Sequence, residues 1–201
     1  MPLLQKTNDT LPQRQIDMTQ PIANPFKILV DTREQFPYTF DGITADAKQK
    51  YAPLAITTDW HTLKTGDYSI AGFENDVCVE RKSLEDLYST LGQRREQFKA
   101  EHERMAMMQV FGGACCVVIE ADWHTILYSP PEFSRLVPKV VFRTYLAWQQ
   151  RYRIPWIAVT DRRMAEITAF RFLERFWRDR EAEAKQARRR AKRPLLKEGK
   201  S

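Results

Sequence analysis

Residues 66–86 constrain the fold more than any other stretch. Two short β-prone runs, Tyr68-Ser69-Ile70 and Val77-Cys78-Val79-Glu80-Arg81-Lys82, are joined by Ala71-Gly72-Phe73-Glu74-Asn75-Asp76. Apolar and β-branched residues on either side of a turn-rich connection predict a β-hairpin. Successive side chains on a strand point to opposite faces, so Glu80 and Lys82 share one face and Arg81 takes the other. Asp67 brings a second acid from the partner strand. Two acids and an amine on one face can hold a divalent cation beside an activated water, which places the chemistry here.

The rest of the chain supplies a core for that hairpin. With 201 residues, 43% of them hydrophobic, it is long enough for one domain with small appendages. No apolar run reaches the length of a membrane span, and the polar first 15 residues lack the apolar centre of a signal peptide. The expectation is an intracellular protein with no membrane partner. Cys78, Cys115 and Cys116 have no metal-ligand spacing and sit in apolar runs, so they read as reduced core residues. The formal net charge of +6 resides entirely in residues 178–201, leaving 1–177 formally neutral. Any nucleic-acid surface on the body must therefore be a local patch rather than a global field.

In chain order, residues 1–25 are polar, proline-containing and aperiodic, and read as a flexible arm. Lys27-Ile28-Leu29-Val30-Asp31 predicts a buried strand that delivers Asp31 at its carboxyl end. A weak helix is expected over 45–51 and a strand over 55–60. Ser83 with Asp86 three residues later resembles a capping box, opening a helix that buries Leu84, Leu87, Tyr88 and Leu91 and breaks or bends at Gly92. A second helix follows over 93–110, ended by Gly112-Gly113, and then a strand over 114–120 that is buried on both faces. Helices over 133–152 (interrupted at Pro138) and 164–180 bracket a short strand at 154–159. The apolar face of 164–177 is a candidate interface if it proves too wide for one core. Residues 181–201 form a charged tail, helix-permissive to about residue 193 and solvent-exposed.

Val30-Asp31-Thr32-Arg33-Glu34, Gly66-Asp67-Tyr68 and Glu80-Arg81-Lys82-Ser83-Leu84-Glu85-Asp86 resemble the nuclease motifs of the XPF type of structure-specific DNA endonuclease. The resemblance covers roughly residues 26–180, leaving 1–25 as the arm and 181–201 as a basic C-terminal tail. It implies an α/β, restriction-endonuclease-like fold, a central mixed sheet flanked by helices on both faces, with a PD-(D/E)xK-type site at Asp67, Glu80 and Lys82. It also implies a Mg²⁺-dependent endonuclease, with Mn²⁺ able to substitute, acting on branched, flapped or forked DNA in repair or recombination. Family members append a tandem helix-hairpin-helix domain and some a helicase. After Arg180 this chain has too little sequence for either, so a lone nuclease domain is expected, as a homodimer or with a heterologous DNA-binding partner. That compact form suits the cytoplasm of a bacterium or phage-infected host rather than a nucleus.

Phosphodiester hydrolysis requires an activated water, a polarised phosphoryl group and relief of developing negative charge. Asp67 and Glu80 are assigned as metal ligands, and Lys82 as the group that orients water or stabilises the pentavalent state. Asp31 and Glu34 tune the site, Asp31 holding an additional metal, and Asp86 is either a further catalytic acid or only a cap. Glu120, ending its strand, is a weaker candidate. Arg33 and Arg81 contact phosphate or brace carboxylates. Arg94 and Arg95 lie on a helix suited to the DNA backbone, and Arg188, Arg189, Arg190, Lys192 and Arg193 form a basic cluster suited to phosphate. The competing reading is a catalytically inert or partner-dependent DNA-binding module that keeps the nuclease fold.

Overall fold

Strands with no polar face must be covered on both sides. The computed structural model, which describes residues 20–45 and 52–191, shows what covers them. The strands β1 (Ile22–Asp31), β2 (Leu54–His61), β3 (Tyr68–Ile70), β4 (Val77–Lys82), β5 (Ala114–Ile119) and β6 (Trp156–Ala158) form one sheet in the order β2-β1-β3-β4-β5-β6. β1 is parallel to β2 and antiparallel to β3. β3 is antiparallel to β4, while β4, β5 and β6 run parallel. This is the mixed α/β sheet that the sequence implied. The helices are α1 (Leu84–Gln93), α2 (Arg95–Val110), α3 (Trp123–Tyr128), α4 (Pro138–Tyr152) and α5 (Arg162–Ala191).

The two-residue period of β4 and β5 separates two cores. Val77, Val79, Cys116 and Val118 face α5 and pack on Ala165, Ala169, Phe170, Leu173 and Phe176. Cys78, Cys115, Val117 and Ile119 face the other helices and pack on Leu87, Leu91, Phe98, Met105 and Trp148. Glu80 and Lys82 therefore follow Cys78 toward α1 and α2, and Arg81 follows Val79 toward α5. All three cysteines are free and buried. In the second core His102 is fully bonded and neutral: one ring nitrogen, Nδ1, meets the Phe98 carbonyl at 2.9 Å, and Nε2 accepts from Trp156 Nε1 at 2.8 Å. Burial pushes its pKa down to about 4.

Several boundaries differ from expectation for local reasons. β1 begins at Ile22, inside the stretch read as an arm, and its register slips between Ala23 and Lys27, where Asn24-Pro25 interrupts the ladder. Gly92 is kept within α1, which ends at Gln93 with Arg94 as its C-cap. Pro138 opens α4 rather than interrupting a longer helix, because a proline fits the first turn without loss of a hydrogen bond. α3 was unforeseen and is capped by Asp122, which accepts from Thr125 N at 2.7 Å. α5 continues past Arg180 to Ala191, supported by one-turn ion pairs Arg175–Asp179, Arg178–Glu174 and Arg180–Glu183 at 2.9, 2.7 and 2.8 Å. Its apolar face is taken up by the sheet, so that stretch is not an open interface. The helix expected near 45–51 falls almost wholly outside the described residues, as do 1–19 of the arm. Among the described residues no helix is long and apolar enough to cross a membrane.

Candidate active site

Gly66 sets the entry to β3. Its φ of +74° lies in the left-handed region, and an added Cβ would sit 2.9 Å from Cys78 Cβ and 3.1 Å from Val79 O. Only glycine satisfies both conditions. Its amide donates to Glu101 Oε1 at 2.7 Å, which ties the turn to α2. Asp67 then pairs with β4 through its own backbone, Asp67 N donating to Val79 O at 2.9 Å. Tyr68 lies opposite Val79, so Asp67 comes beside Glu80 on the α1 and α2 side of the sheet.

The floor of the site is an acid pair next to a buried amine. Asp67 Oδ2 accepts from Arg81 N at 2.7 Å, and Lys82 Nζ bridges Glu80 Oε1 at 2.6 Å and Asp86 Oδ2 at 2.8 Å. Among the described residues, Asp67 Oδ1 and Glu80 Oε2 accept no protein hydrogen bond. Burial and the neighbouring Glu80 raise the Asp67 carboxyl well above its ordinary 3.8. Burial also raises Glu80, with Lys82 opposing and Glu101 reinforcing the shift. Burial works against the Lys82 ammonium, but Glu80, Asp86 and Asp67 outweigh it and hold its pKa above 10.5. Lys82 is thus a fixed cation, further stabilised by the Phe98 ring 5.1 Å away.

Two under-compensated carboxylates with unshared oxygens fit a hard divalent cation, which takes few protein ligands and completes its shell with water or phosphate oxygens. Among the described residues no group of three or more His, Cys, Asp or Glu is arranged to hold a metal ion. Asp31 does not supply a third ligand. Its Oδ1 accepts from Arg33 N and Nε at 2.8 and 2.7 Å, and its Oδ2 from Leu63 N and Arg33 Nη2 at 2.7 and 3.0 Å. Four donors fill the four lone-pair positions of a carboxylate, so as it stands Asp31 is engaged within the protein and offers no unshared oxygen for the metal expected there. Burial raises its pKa, but the Arg33 and Leu63 bonds outweigh that and leave it below 3.8.

Other expected residues are also redistributed. Arg81 holds Glu120 side-on through Nε and Nη2 at 2.7 and 2.9 Å and reaches Glu34 with Nη1 at 3.3 Å, with its side chain 11% exposed. Of the two expected roles, the geometry shows the bracing of carboxylates. Glu120 also accepts from Arg162 Nη1 at 2.9 Å and faces α5. Arg95 donates to Thr144 Oγ1 at 2.9 Å and lies over Trp148, so it joins α2 to α4. Asp86 completes only half of a capping box: Ser83 Oγ accepts from Asp86 N at 3.1 Å, while the Asp86 carboxylate turns to Lys82 and Arg94. Arg188, Arg189 and Arg190 lie exposed in the last turn of α5, and Lys192 and Arg193 fall outside the described residues. Glu101 and Arg162 were not foreseen. Their partners lie 35 and 42 residues away in sequence, and no local pattern marks them.

Over Asp67 and Lys82 opens a cleft of about 500 Å³, while Glu80 faces a smaller one of about 140 Å³ on the α2 side of Lys82. Arg33, Glu34, Gln35 and Phe36 form one wall, and Ser83, Glu85, Asp86, Ser89 and Arg94 form the other.

A mixed α/β sheet whose central hairpin holds an aspartate, a glutamate and a lysine beside an open cleft has the layout of a nuclease domain. The ERCC4 domain matches residues 30–167, and the chain belongs to that family, as an XPF-type nuclease domain. Two solved structures of XPF from Aeropyrum pernix, one of them a complex with DNA, are similar to it, each with a TM-score of 0.48. Their identities are 17% and 16%, over 87% and 78% of this chain and 67% and 66% of theirs. The chain thus spans about two thirds of their length. No curated protein matches it in sequence.

Proposed function

We propose that the chain is a Mg²⁺-dependent endonuclease that hydrolyses phosphodiester bonds in branched, flapped or forked DNA, in repair or recombination. The observation that carries this reading is the pair of unshared oxygens, Asp67 Oδ1 and Glu80 Oε2, beside the fixed Lys82 cation, which lines the open cleft together with Asp67. Asp67 and Glu80 would hold the metal, and Mn²⁺ would fit the same oxygen donors. When bound, the ion supplies Lewis-acid polarisation of the phosphoryl group and lowers the pKa of water.

The protein's own groups do the remaining work. Lys82 stays protonated, so it donates hydrogen bonds and stabilises negative charge on the reacting phosphoryl oxygens. It does not take the proton from water. Asp86 and Glu80 hold its ammonium in place from two sides. Asp86 is therefore a positioning residue. Glu34 keeps one oxygen for Arg81 and for Phe36 N, which fixes the wall of the cleft. Arg94, half-exposed on the opposite wall, and Arg33 are the cations placed to meet the DNA backbone. Arg188 to Arg190 extend that contact along α5, and a second copy or another DNA-binding protein would complete recognition.

Cleavage of a panel of forks, flaps, four-way junctions and linear duplex in Mg²⁺ or Mn²⁺ tests the proposal. Wild type is expected to cut a branched member, and Asp67→Asn and Glu80→Gln are not. Retained cutting by both variants would sink the site assignment. Binding without cutting by wild type would favour an inert or partner-dependent module.

A further inference from the structure

The wall of the cleft formed by residues 33–36 carries an aromatic ring that the fold does not use. Phe36 is 66% exposed, yet its backbone is fixed on both sides. Its amide donates to Glu34 Oε1 at 2.7 Å, and its carbonyl accepts from Arg162 Nη2 at 2.7 Å. The same nitrogen reaches the Pro37 carbonyl at 3.0 Å, and the Pro37 ring restricts φ at the next position.

That mount is anchored to the floor of the site. Glu34 pairs with Arg81, the residue between Glu80 and Lys82, and Arg162 pairs with Glu120, which Arg81 also holds. The Arg81 and Arg162 guanidinium groups lie 5.7 and 5.0 Å from the centroid of the buried Tyr38 ring. Tyr38 in turn stacks on Tyr68, the residue after Asp67, with centroids 5.1 Å apart. Three arginine–carboxylate contacts and a stacked tyrosine pair thus tie the Phe36 backbone to β3 and β4, at the rim of the cleft that Asp67 and Lys82 also line. Burial of Phe36 contributes little to folding, because most of the ring remains in water.

A phenyl ring held rigidly at the rim of a nuclease cleft suits one kind of DNA contact. In an intact duplex the base faces are covered by their neighbours, and a side chain meets only edges and backbone. An unpaired or end base exposes a π-face, and aromatic side chains stack on such bases regardless of sequence. Resting on the nuclease reading above, we propose that Phe36 is a specificity-determining residue. It stacks on an unpaired base next to the scissile phosphate and so selects branched or flapped DNA over continuous duplex. The floor acids act on phosphate, which is common to all DNA, and the Phe36 wall supplies the discrimination.

The test uses the full chain with Phe36→Ala, Phe36→Leu and Phe36→Trp. Forked DNA carries 2-aminopurine at successive positions around the junction, with Ca²⁺ as the divalent ion. Wild type and Phe36→Trp are expected to quench one position, and the alanine and leucine variants are not. In Mg²⁺, the fork-to-duplex ratio of kcat/KM is expected to fall on the order of tenfold in both quench-deficient variants, with unfolding midpoints matching wild type. Wild-type quenching and preference in Phe36→Leu would overturn stacking while leaving the nuclease reading intact. A wild-type chain that neither binds nor cuts branched DNA would overturn both.

Discussion

Asp31 and Asp67 are both aspartates at strand ends, on strands that neighbour one another in the sheet, and their carboxylates have opposite fates. Asp31 is 1% exposed and meets four donors, so its charge is neutralised and its geometry fixed within the fold. Asp67 meets one hydrogen-bond donor and lies near Glu80 and Glu34, and the Lys82 charge offsets burial only in part, so its carboxyl is left raised and short of partners. Glu120, just after β5, and Glu80, on β4, repeat the contrast: two arginines satisfy the first, and a single lysine meets the second. A buried carboxylate saturated by donors contributes to folding, whereas one left short of partners costs stability and is available to a ligand.

The largest expected effect is on catalysis. If Asp67 and Glu80 hold the metal as proposed, Asp67→Asn and Glu80→Gln should each lower kcat/KM on the order of a thousandfold, a loss of several kcal/mol of transition-state stabilisation. The same Asp67→Asn change should leave the metal-free protein at least as resistant to urea as wild type, because it removes repulsion with Glu80. A large drop in its urea midpoint would break the comparison, placing Asp67 among the structural acids.

His102 provides a saturated counterpart that titrates. Its pKa is about 4 in the folded protein against 6.5 when unfolded, so the unfolded state binds more protons between those values. The stability contributed by neutral His102 is therefore full above pH 6.5 and is lost as pH falls toward 4, by about 3 kcal/mol. Urea midpoints measured at pH 7.5, 5.5 and 4.5 should show this loss in wild type and a shallower dependence in His102→Gln.

Asp31→Asn should cost about 2 kcal/mol, since it removes a charge from a buried acceptor and turns an amide donor toward Arg33 or Leu63 N. The value is at the low end for a buried pair because the Arg33 side chain is 69% exposed. Asp31 has a lowered pKa, so its contribution is present above pH 3.8 and is lost as pH falls further. Chemical denaturation at pH 7 checks the cost. A stability cost close to zero would show that Asp31, like Asp67, is free to serve a ligand.

The hairpin was legible because its information is local. Strand period fixes Glu80 and Lys82 on one face, and Gly66 marks a turn that no other residue can take. The division between saturated and unsaturated acids was not legible, because donors arrive from far along the chain. Arg81 meets Glu120 across 39 residues, Arg95 meets Thr144 across 49, and Asp31 meets Leu63 N across 32. Motif spacing therefore marks which residues gather at the sheet's end without saying which of them keep a free oxygen. The apolar stripe of α5 ends near Trp177, which set the expected packed helix at about residue 180; the stretch beyond was legible only as helix-permissive, and ion pairs one turn apart carry the helix through it.

That extension gives the smallest effect and the finest test of how charge is distributed. At 1.5 Å per residue, Arg188 lies about 39 Å along α5 from Arg162, which sits at the site end of the sheet on Glu120. The other end of the body is reached by Arg180, which bonds the Gly112 carbonyl ahead of β5. If Arg188, Arg189 and Arg190 touch DNA cut at Asp67, the arm must be long enough to span that distance, about 12 base pairs at 3.4 Å each. Replacing the three by alanine should reduce the slope of log K against log salt by about 0.9 for each arginine engaged. The reduction should appear on substrates with longer arms and vanish on shorter ones, with cleavage at saturating DNA unaffected. An unchanged slope on long arms would mean that the basic end of α5 does not share DNA with the site. Equal reduction on short and long arms would mean that it binds DNA independently of the cleft.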